Sequence, residues 1–120
     1  MQNPLDNFGQ IIIKNLFDKG INRFADLKDR KLKSESAIDI SNKLDQFSKE
    51  QLVIIEKLVI NIMLSSTHDF LFSVQNDDDL KVFLDEFNVA EISDGLHGEL
   101  FGNEGWIRKF SYYNEKVDLI

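Results

Sequence analysis

The chain of 120 residues has no cysteine and only one proline. The absence of cysteine excludes disulfide bonds and thiolate metal sites, and it permits a reducing compartment. The single proline, Pro4, follows Asn3, and this pair is typical of a helix start because Asn3 can cap the helix while proline occupies its first position. A first helix is therefore predicted to begin at Pro4.

Long apolar runs are also lacking. No stretch reaches the roughly 18 apolar residues of a membrane span, since the richest one is interrupted by Glu56, Lys57 and Asn61. No signal-peptide pattern follows Met1. We therefore expect a soluble, cytoplasmic protein with no membrane segment, and the length fits one domain, residues 1–120.

The sequence carries no motif for catalysis or cofactor binding. A glycine-rich loop contains Gly95, Gly98, Gly102 and Gly105. Their spacing matches neither the dinucleotide-binding nor the P-loop pattern, and the loop has no lysine to hold a phosphate. No serine lies in a nucleophile-elbow sequence. We identify no catalytic residue and expect no cofactor.

Only two histidines are present. His97, Glu99 and Asp94 are the candidate metal ligands, and His68 could join them from a helix, yet the set lacks the spacing of a known metal motif. Side chains one residue apart on a helix diverge by about 100°, so Asp69 is not expected to orient His68 in a catalytic dyad. No metal site is predicted, and a metal-assisted or acid/base enzyme at the His97 loop is the alternative function.

Helical periodicity is strongest over residues 48–76, the longest run without proline or glycine. Ser48 and Gln51 form a capping box at its start. The polar residues occupy one narrow stripe, which predicts a central helix that the rest of the chain covers on most sides. Hydroxyl groups from Ser65 to Thr67 compete for backbone hydrogen bonds and predict a kink or break. The helix is predicted to end at Asn76.

Shorter helices are predicted before this run. The first presents an apolar face of four residues: Leu5, Phe8, Ile12 and Leu16. Gly20 is expected to end that helix as its left-handed C′ residue. A second short helix is then expected from Ile21. Residues 34–37 are expected to form a loop or a helix start, and the helical spacing of Ile40, Leu44 and Phe47 leads into the central helix.

After Asn76 the periodicity changes. Residues 80–87 alternate at first as in a strand, although their pattern also fits a helix. Strands are predicted over residues 80–84, 89–92 and 106–112. The predicted fold class is α+β, with an N-terminal helical layer and long central helix (1–76) packed on a small antiparallel C-terminal sheet (77–120). Three tail residues are expected to dock on the core: Val117, Leu119 and Ile120.

Charge is distributed unevenly along the chain. Residues 1–60 carry ten basic and nine acidic side chains, whereas residues 61–120 carry four basic and twelve acidic ones. Such an acidic half repels nucleic acid phosphates and steers a basic partner. The aromatic residues of segment 106–113 exceed what one face of a small sheet can bury, so some are expected to anchor a partner. The predicted partner-binding residues are Asp77, Asp78, Asp79, Glu91, Asp94, Glu99, Glu104, Trp106 and Tyr112.

In size, acidity and lack of a catalytic motif, the chain resembles the small bacterial immunity and inhibitor proteins that neutralise a cationic toxin. The resemblance implies a non-enzymatic binding protein with a basic protein partner. Nucleic acid and membrane partners are not expected. A homo-oligomer whose exposed aromatic residues meet across a symmetric interface is a further alternative.

Overall fold

Residues 2–117 are described by a computed structural model, and they form an α+β fold that is 66% helical, with a long helix and a small two-stranded antiparallel sheet. The predicted fold class is thereby confirmed. The helices are α1 (Pro4–Ile12), α2 (Asp18–Lys28), α3 (Glu35–Leu44), α4 (Lys49–Asn76) and α5 (Trp106–Phe110). The strands are β1 (Phe83–Leu84) and β2 (Phe87–Asn88), and short 3-10 turns span Leu96–Leu100 and Asn114–Lys116. No helix within residues 2–117 is both long and apolar enough to cross a membrane.

The first helix begins where the sequence predicts. The Asn3 side-chain oxygen accepts a hydrogen bond of 2.8 Å from the backbone N–H of Asp6, and Pro4 occupies the first helical position, where no donor is needed. The Asp6 carboxylate lies in the first turn, where the helix dipole favours negative charge. It also pairs with the Lys109 ammonium at 2.9 Å, which ties the start of α1 to α5.

α1 and α2 form one continuous helix, because a π-helical segment, Ile13–Phe17, joins them. The Asp18 N–H donates to the carbonyl of Ile13, five residues back. The prediction that Gly20 ends the first helix is wrong, since Gly20 lies inside α2. Its role is close packing: a Cβ at this position would lie 2.3 Å from the Met63 sulfur on α4.

The π-helical segment changes which side chains of this long helix face the core. The large buried apolar residues of this continuous helix are Phe8, Ile13, Phe17, Ile21 and Phe24. Only Phe8 of the predicted face is fully buried, and Leu5, Ile12 and Leu16 are half-buried. A π turn holds more residues than an α turn, so the positions after it rotate out of the 3.6-residue register used for the prediction.

α4 runs through its 28 residues without a break. The capping box is confirmed, because the Ser48 hydroxyl accepts from the Gln51 N–H while the Gln51 side chain accepts from the Ser48 N–H. The predicted end at Asn76 is also confirmed. The predicted break is absent: Ser65 faces solvent and Thr67 is buried against the core, and the helix continues past both.

α4 is not covered on most sides, contrary to the prediction. At 1.5 Å per residue its 28 residues extend about 42 Å, which approaches the 48 Å long axis of the molecule. α2, the π-helical segment and the Leu96–Leu100 turn pack against one side. The residues buried there are Ile60, Thr67, Leu71 and Val74. A chain of this length cannot surround so long a helix, and the opposite side is exposed.

The sheet is smaller than predicted and consists of one hairpin. Phe83 pairs with Asn88 and Leu84 with Phe87 in an antiparallel register. β1 therefore falls inside the predicted strand 80–84, whereas β2 lies between the predicted strands 80–84 and 89–92. The predicted strand 89–92 does not form, because Val89 turns into the core and is fully buried.

The predicted strand 106–112 is wrong, since its first five residues form the helix α5. Trp106 and Ile107 are buried while Arg108 and Lys109 are exposed, which is the one-sided burial of a helix rather than the alternation of a strand. Packing has overridden the strand preference of the aromatic residues.

Buried polar contacts fix the segment after α5 on α2. The Ser111 hydroxyl donates to one Asp18 carboxylate oxygen at 2.6 Å, and the Tyr112 N–H donates to the other at 2.9 Å. Tyr113 is buried, and its hydroxyl donates to the Asn22 side chain. Of the three predicted docking residues of the tail, Val117 is buried, and the other two lie outside the described residues: Leu119 and Ile120.

Candidate partner-binding surface

The turn that ends α4 consists of Asp77, Asp78 and Asp79, three of the predicted partner-binding residues. All three are exposed, and the Asp79 N–H donates to the Asp77 carboxylate at 2.9 Å. They lie at the C-terminus of α4, where the partial negative charge of the helix dipole adds to their own. Negative potential is therefore concentrated at this turn.

The hairpin that follows carries further carboxylates. Asp85 and Glu86 form its two-residue turn and are exposed, with Asp85 at a left-handed φ of 53°, a conformation that Asp tolerates better than most residues. Within residues 2–117, no carboxylate of segment 77–104 lies in an ion pair with a lysine or arginine. The negative charge of this segment is thus not neutralised inside the described chain.

An exposed aromatic ring, Phe83, lies among these carboxylates. Its neighbours Val82 and Leu84 pack against the core, so the alternation of a strand directs Phe83 to the opposite face, where its side chain is 59% exposed. Leu80 is exposed on the same segment. Aromatic residues are enriched at protein interfaces, so Phe83 is a candidate anchor for a partner.

Trp106, predicted to anchor a partner, is instead buried in the core, and that prediction is corrected. Its ring packs edge-on against Phe8, with ring centroids 6.0 Å apart. It also lies against Gly9, where a Cβ would approach the ring to 2.3 Å. The missing side chain of Gly9 leaves a notch in α1, and the tryptophan fills it.

Tyr112 is the most exposed aromatic residue of the described chain, at 85%. Its backbone N–H is held by Asp18, and its ring meets that of Tyr113 edge-on at 5.2 Å. These neighbours belong to α2 and to the segment after α5. Tyr112 is therefore an exposed ring outside the acidic segment, and it serves as a comparison for Phe83.

The remaining predicted acidic residues lie in the loop between the hairpin and α5. Three of them are exposed: Glu91, Asp94 and Glu104. Glu99 is half-buried and accepts a hydrogen bond of 2.7 Å from the Ser93 hydroxyl. Together with His97 and Asp94 it lines an open depression. Glu99 thus contributes to the structure of the loop as well as to its charge.

The two histidines meet where α4 contacts the Leu96–Leu100 turn. The ring centroids of His68 and His97 are 5.3 Å apart. Phe72 packs 5.0 Å from His97, and Phe101 packs 6.2 Å from His68. Sequence reasoning paired the histidines but missed the two phenylalanines, although each lies four residues after one of the histidines.

One expectation about His68 is wrong. Its Nδ1 lies 3.1 Å from an Asp69 carboxylate oxygen, because two side chains that diverge at Cβ can bend together on an exposed surface. Within residues 2–117, no group of three or more His, Asp or Glu side chains is placed to hold a metal ion. His97, Glu99 and Asp94 are therefore not assembled into a metal centre.

Sequence reasoning also missed the exposed apolar side of α4. Ile54, Leu58 and Ile62 lie four residues apart and are largely exposed, although the apolar pattern assigns them to the core. The overlooked signal is the width of the apolar arc, which exceeds what the neighbours in a chain of 120 residues can cover.

The chain was compared with models of protein families, with curated proteins and with solved structures, and none of them matches. Any functional conclusion therefore rests on the surface of the chain itself.

Proposed function

We propose that this chain is a non-enzymatic binding protein that holds a basic protein partner on its acidic segment, residues 77–104. The observation that carries the proposal is the exposure of Phe83 among carboxylates that lack a cationic partner within residues 2–117. A ring of this kind offers a contact from which water is excluded, and the carboxylates around it supply charge complementarity.

The carboxylates and Phe83 act on different steps of binding. Nine carboxylates and one lysine lie between Asp77 and Glu104, so a cationic surface is attracted over about a Debye length, roughly 10 Å at 0.1 M salt. This attraction acts mainly on the association rate. Burial of Phe83 in the complex acts mainly on the dissociation rate, where most differences in affinity between related complexes arise.

An immunity-type inhibitor of a basic toxin is the form of this function that we favour. Such an inhibitor needs no catalytic group, because it acts by occupying a cationic surface of its target. The acidity of residues 61–120 and the resemblance in size and composition support this form. A basic protein encoded beside the gene is the first candidate for the partner.

The test measures association and dissociation of the chain with each such basic protein by surface plasmon resonance, at low and at high salt. The triple variant Asp78→Lys, Asp79→Lys and Glu91→Lys should lower the association rate constant by about tenfold or more at low salt, with a much smaller effect at high salt. Phe83→Ala should raise the dissociation rate by about tenfold, which corresponds to about 1.4 kcal/mol.

Matched control variants separate the effect of where a charge lies from the effect of the total charge. Asp29→Lys, Glu35→Lys and Glu50→Lys change the net charge equally but lie in the near-neutral half, and Tyr112→Ala removes an exposed ring outside the acidic segment. Both controls should leave the kinetics close to those of the wild type. Association rates that do not change with salt concentration, or that fall equally in both triple variants, would contradict the proposal.

A further inference from the structure

One side of α4 carries an apolar row that the rest of the described chain leaves open. Ile54, Leu58 and Ile62 are 66%, 57% and 51% exposed. Residues four apart on a helix lie on one side, roughly 6 Å apart along its axis. The row is therefore a continuous ridge about two turns long, and none of its three residues packs against the core cluster of the described chain.

We propose that this ridge is the contact between two copies of the chain, which pack through α4 in antiparallel orientation around a two-fold axis at Leu58. The ridge is symmetric about that residue. In a two-fold contact, the same patch serves both copies, so Leu58 meets Leu58 of the second copy, and Ile54 meets Ile62 of the second copy. Gln51 and Ser65 extend the ridge at its two ends, and their polar side chains mark the limits of the apolar contact.

Charge favours a second copy in this orientation. The acidic segment begins at Asp77, 19 positions after Leu58 in the sequence, or about 28 Å along the helix axis. Antiparallel packing sends the two acidic segments in opposite directions, whereas parallel packing would place them side by side and make them repel.

The same register brings unlike charges together at the ends of the contact. Asp69, an exposed residue eleven positions after Leu58, comes level with the α4 N-terminus of the second copy near Ser48. The positive end of a helix dipole stabilises a carboxylate there. Beside the ridge, Lys57 balances Glu50, so a strongly charged partner gains little from this side of α4.

The expected dimer is weak. One ridge of aliphatic residues buries less than the roughly 800 Å² of surface per partner of a typical stable complex. The fraction of dimer should therefore depend on protein concentration in the micromolar to millimolar range. Analytical ultracentrifugation should show a mass that rises from the 13.9 kDa of one chain towards twice that value as concentration increases.

Leu58→Glu should raise the dimer dissociation constant at least tenfold, because it places two like charges opposite each other at the axis. Val53→Glu is the matched control, since Val53 is 53% exposed but lies about 140° around the helix from Leu58. It should leave the dimer intact. Both positions are exposed, so circular dichroism should show the wild-type helix content in each variant.

Cysteine crosslinking tests the register, and the chain has no cysteine of its own to interfere. Under oxidation Leu58→Cys should form a disulfide-linked dimer. Ile54→Cys and Ile62→Cys should each fail alone, because the two copies of either residue lie about 12 Å apart along the axis, beyond the reach of a disulfide. A mixture of the Ile54→Cys and Ile62→Cys chains should crosslink.

Three outcomes would overturn the inference. The first is a wild-type chain that remains a monomer at about 1 mM, which would leave the ridge for a different protein. The second is a dimer that Leu58→Glu does not weaken. The third is self-crosslinking of Ile54→Cys as efficient as that of Leu58→Cys. The inference does not rest on the proposed function, and Leu58→Glu should leave the association rate of a basic partner at the hairpin unchanged.

Discussion

Two glycines control how closely elements pack at the scale of single residues. A Cβ on Gly9 would lie 2.3 Å from the Trp106 ring, and a Cβ on Gly20 would lie 2.3 Å from the Met63 sulfur. The side chains next to the two glycines differ in how easily they can move aside. The Trp106 ring is rigid and fully enclosed, whereas Met63 is half-buried and has a flexible side chain.

Gly9→Ala should therefore lower the free energy of unfolding by about 1 to 3 kcal/mol, the usual cost of overpacking a core. Gly20→Ala is its control. There the side chain of Met63 can move away, and alanine gains up to about 1 kcal/mol of helix propensity over glycine, so the net change should be close to zero. Urea titration followed by circular dichroism measures both, and equal losses would contradict this account.

Tyr113 links stability to alkaline pH. Burial raises the pKa of its hydroxyl above the ordinary value of about 10, and the nearby charge of Asp18 raises the pKa further. Because the folded state holds the proton more tightly than the unfolded state, the contribution to stability is complete below about pH 10. It is lost as the pH rises through the folded pKa.

The wild type should therefore lose stability more steeply than Tyr113→Phe as the pH rises above about 10. The Phe variant also lacks the hydrogen bond to Asn22, so its stability at neutral pH is expected to be lower. Only the difference in slope reports the titration, since lysines titrate equally in both proteins. Parallel pH profiles from chemical denaturation would show that Tyr113 does not titrate differently in the two states.

At the scale of elements, α4 depends on the cap at its start. Ser48 and Gln51 satisfy each other's backbone donors, and the helix extends from there along most of the molecule. Ser66 is exposed in the middle of the same helix, where a serine has no capping role.

Ser48→Ala should lower the free energy of unfolding by about 0.5 to 2 kcal/mol, because the Gln51 N–H at the helix start loses its acceptor. Ser66→Ala is the matched change and should be neutral or slightly stabilising, since alanine favours the helix interior. Thermal unfolding of the two variants provides the comparison. A loss of stability in Ser66→Ala equal to that in Ser48→Ala would show that the cap contributes nothing.

Unbalanced charge is the dominant feature of the whole molecule. The net charge is −7, and the carboxylates at the end of α4 meet the negative end of its dipole. Such a surface reduces the stability of the free protein, because like charges repel in the compact state. Binding of a cation would remove that repulsion.

Asp78→Asn with Asp79→Asn should therefore raise the free energy of unfolding at low salt, by about 0.3 to 1 kcal/mol for each residue. Glu35→Gln with Glu50→Gln should have the opposite sign, because those carboxylates lie in first turns, where negative charge is favourable. Both effects should shrink at about 1 M salt as screening increases. Denaturation of both pairs at two salt concentrations measures them, and a gain in the Glu pair would contradict the dipole argument.

Prediction from the sequence succeeded where the contacts are local. It failed where the burial of a residue depends on which elements pack over it. The caps at Asn3 and Ser48 were predictable, because each involves a donor three residues away. The continuity of α1 and α2 was not, since Gly20 reads as a helix end unless the nearby Met63 is known. The acidic residues of the candidate surface were predictable from charge alone, but Phe83 was not, because its exposure depends on which face of the hairpin meets the core.

The sequence by itself determined the starts of α1 and α4, the end of α4 at Asn76 and the concentration of carboxylates after it, because these follow from residue types and their spacing along the chain. Only the tertiary structure decided that Trp106 is enclosed while Phe83 and Leu58 are exposed. Burial depends on which elements are near enough and long enough to cover one another. The neighbours of α4 cover one side of a helix about 42 Å long, and they leave Ile54, Leu58 and Ile62 open although the periodicity assigns them to the core.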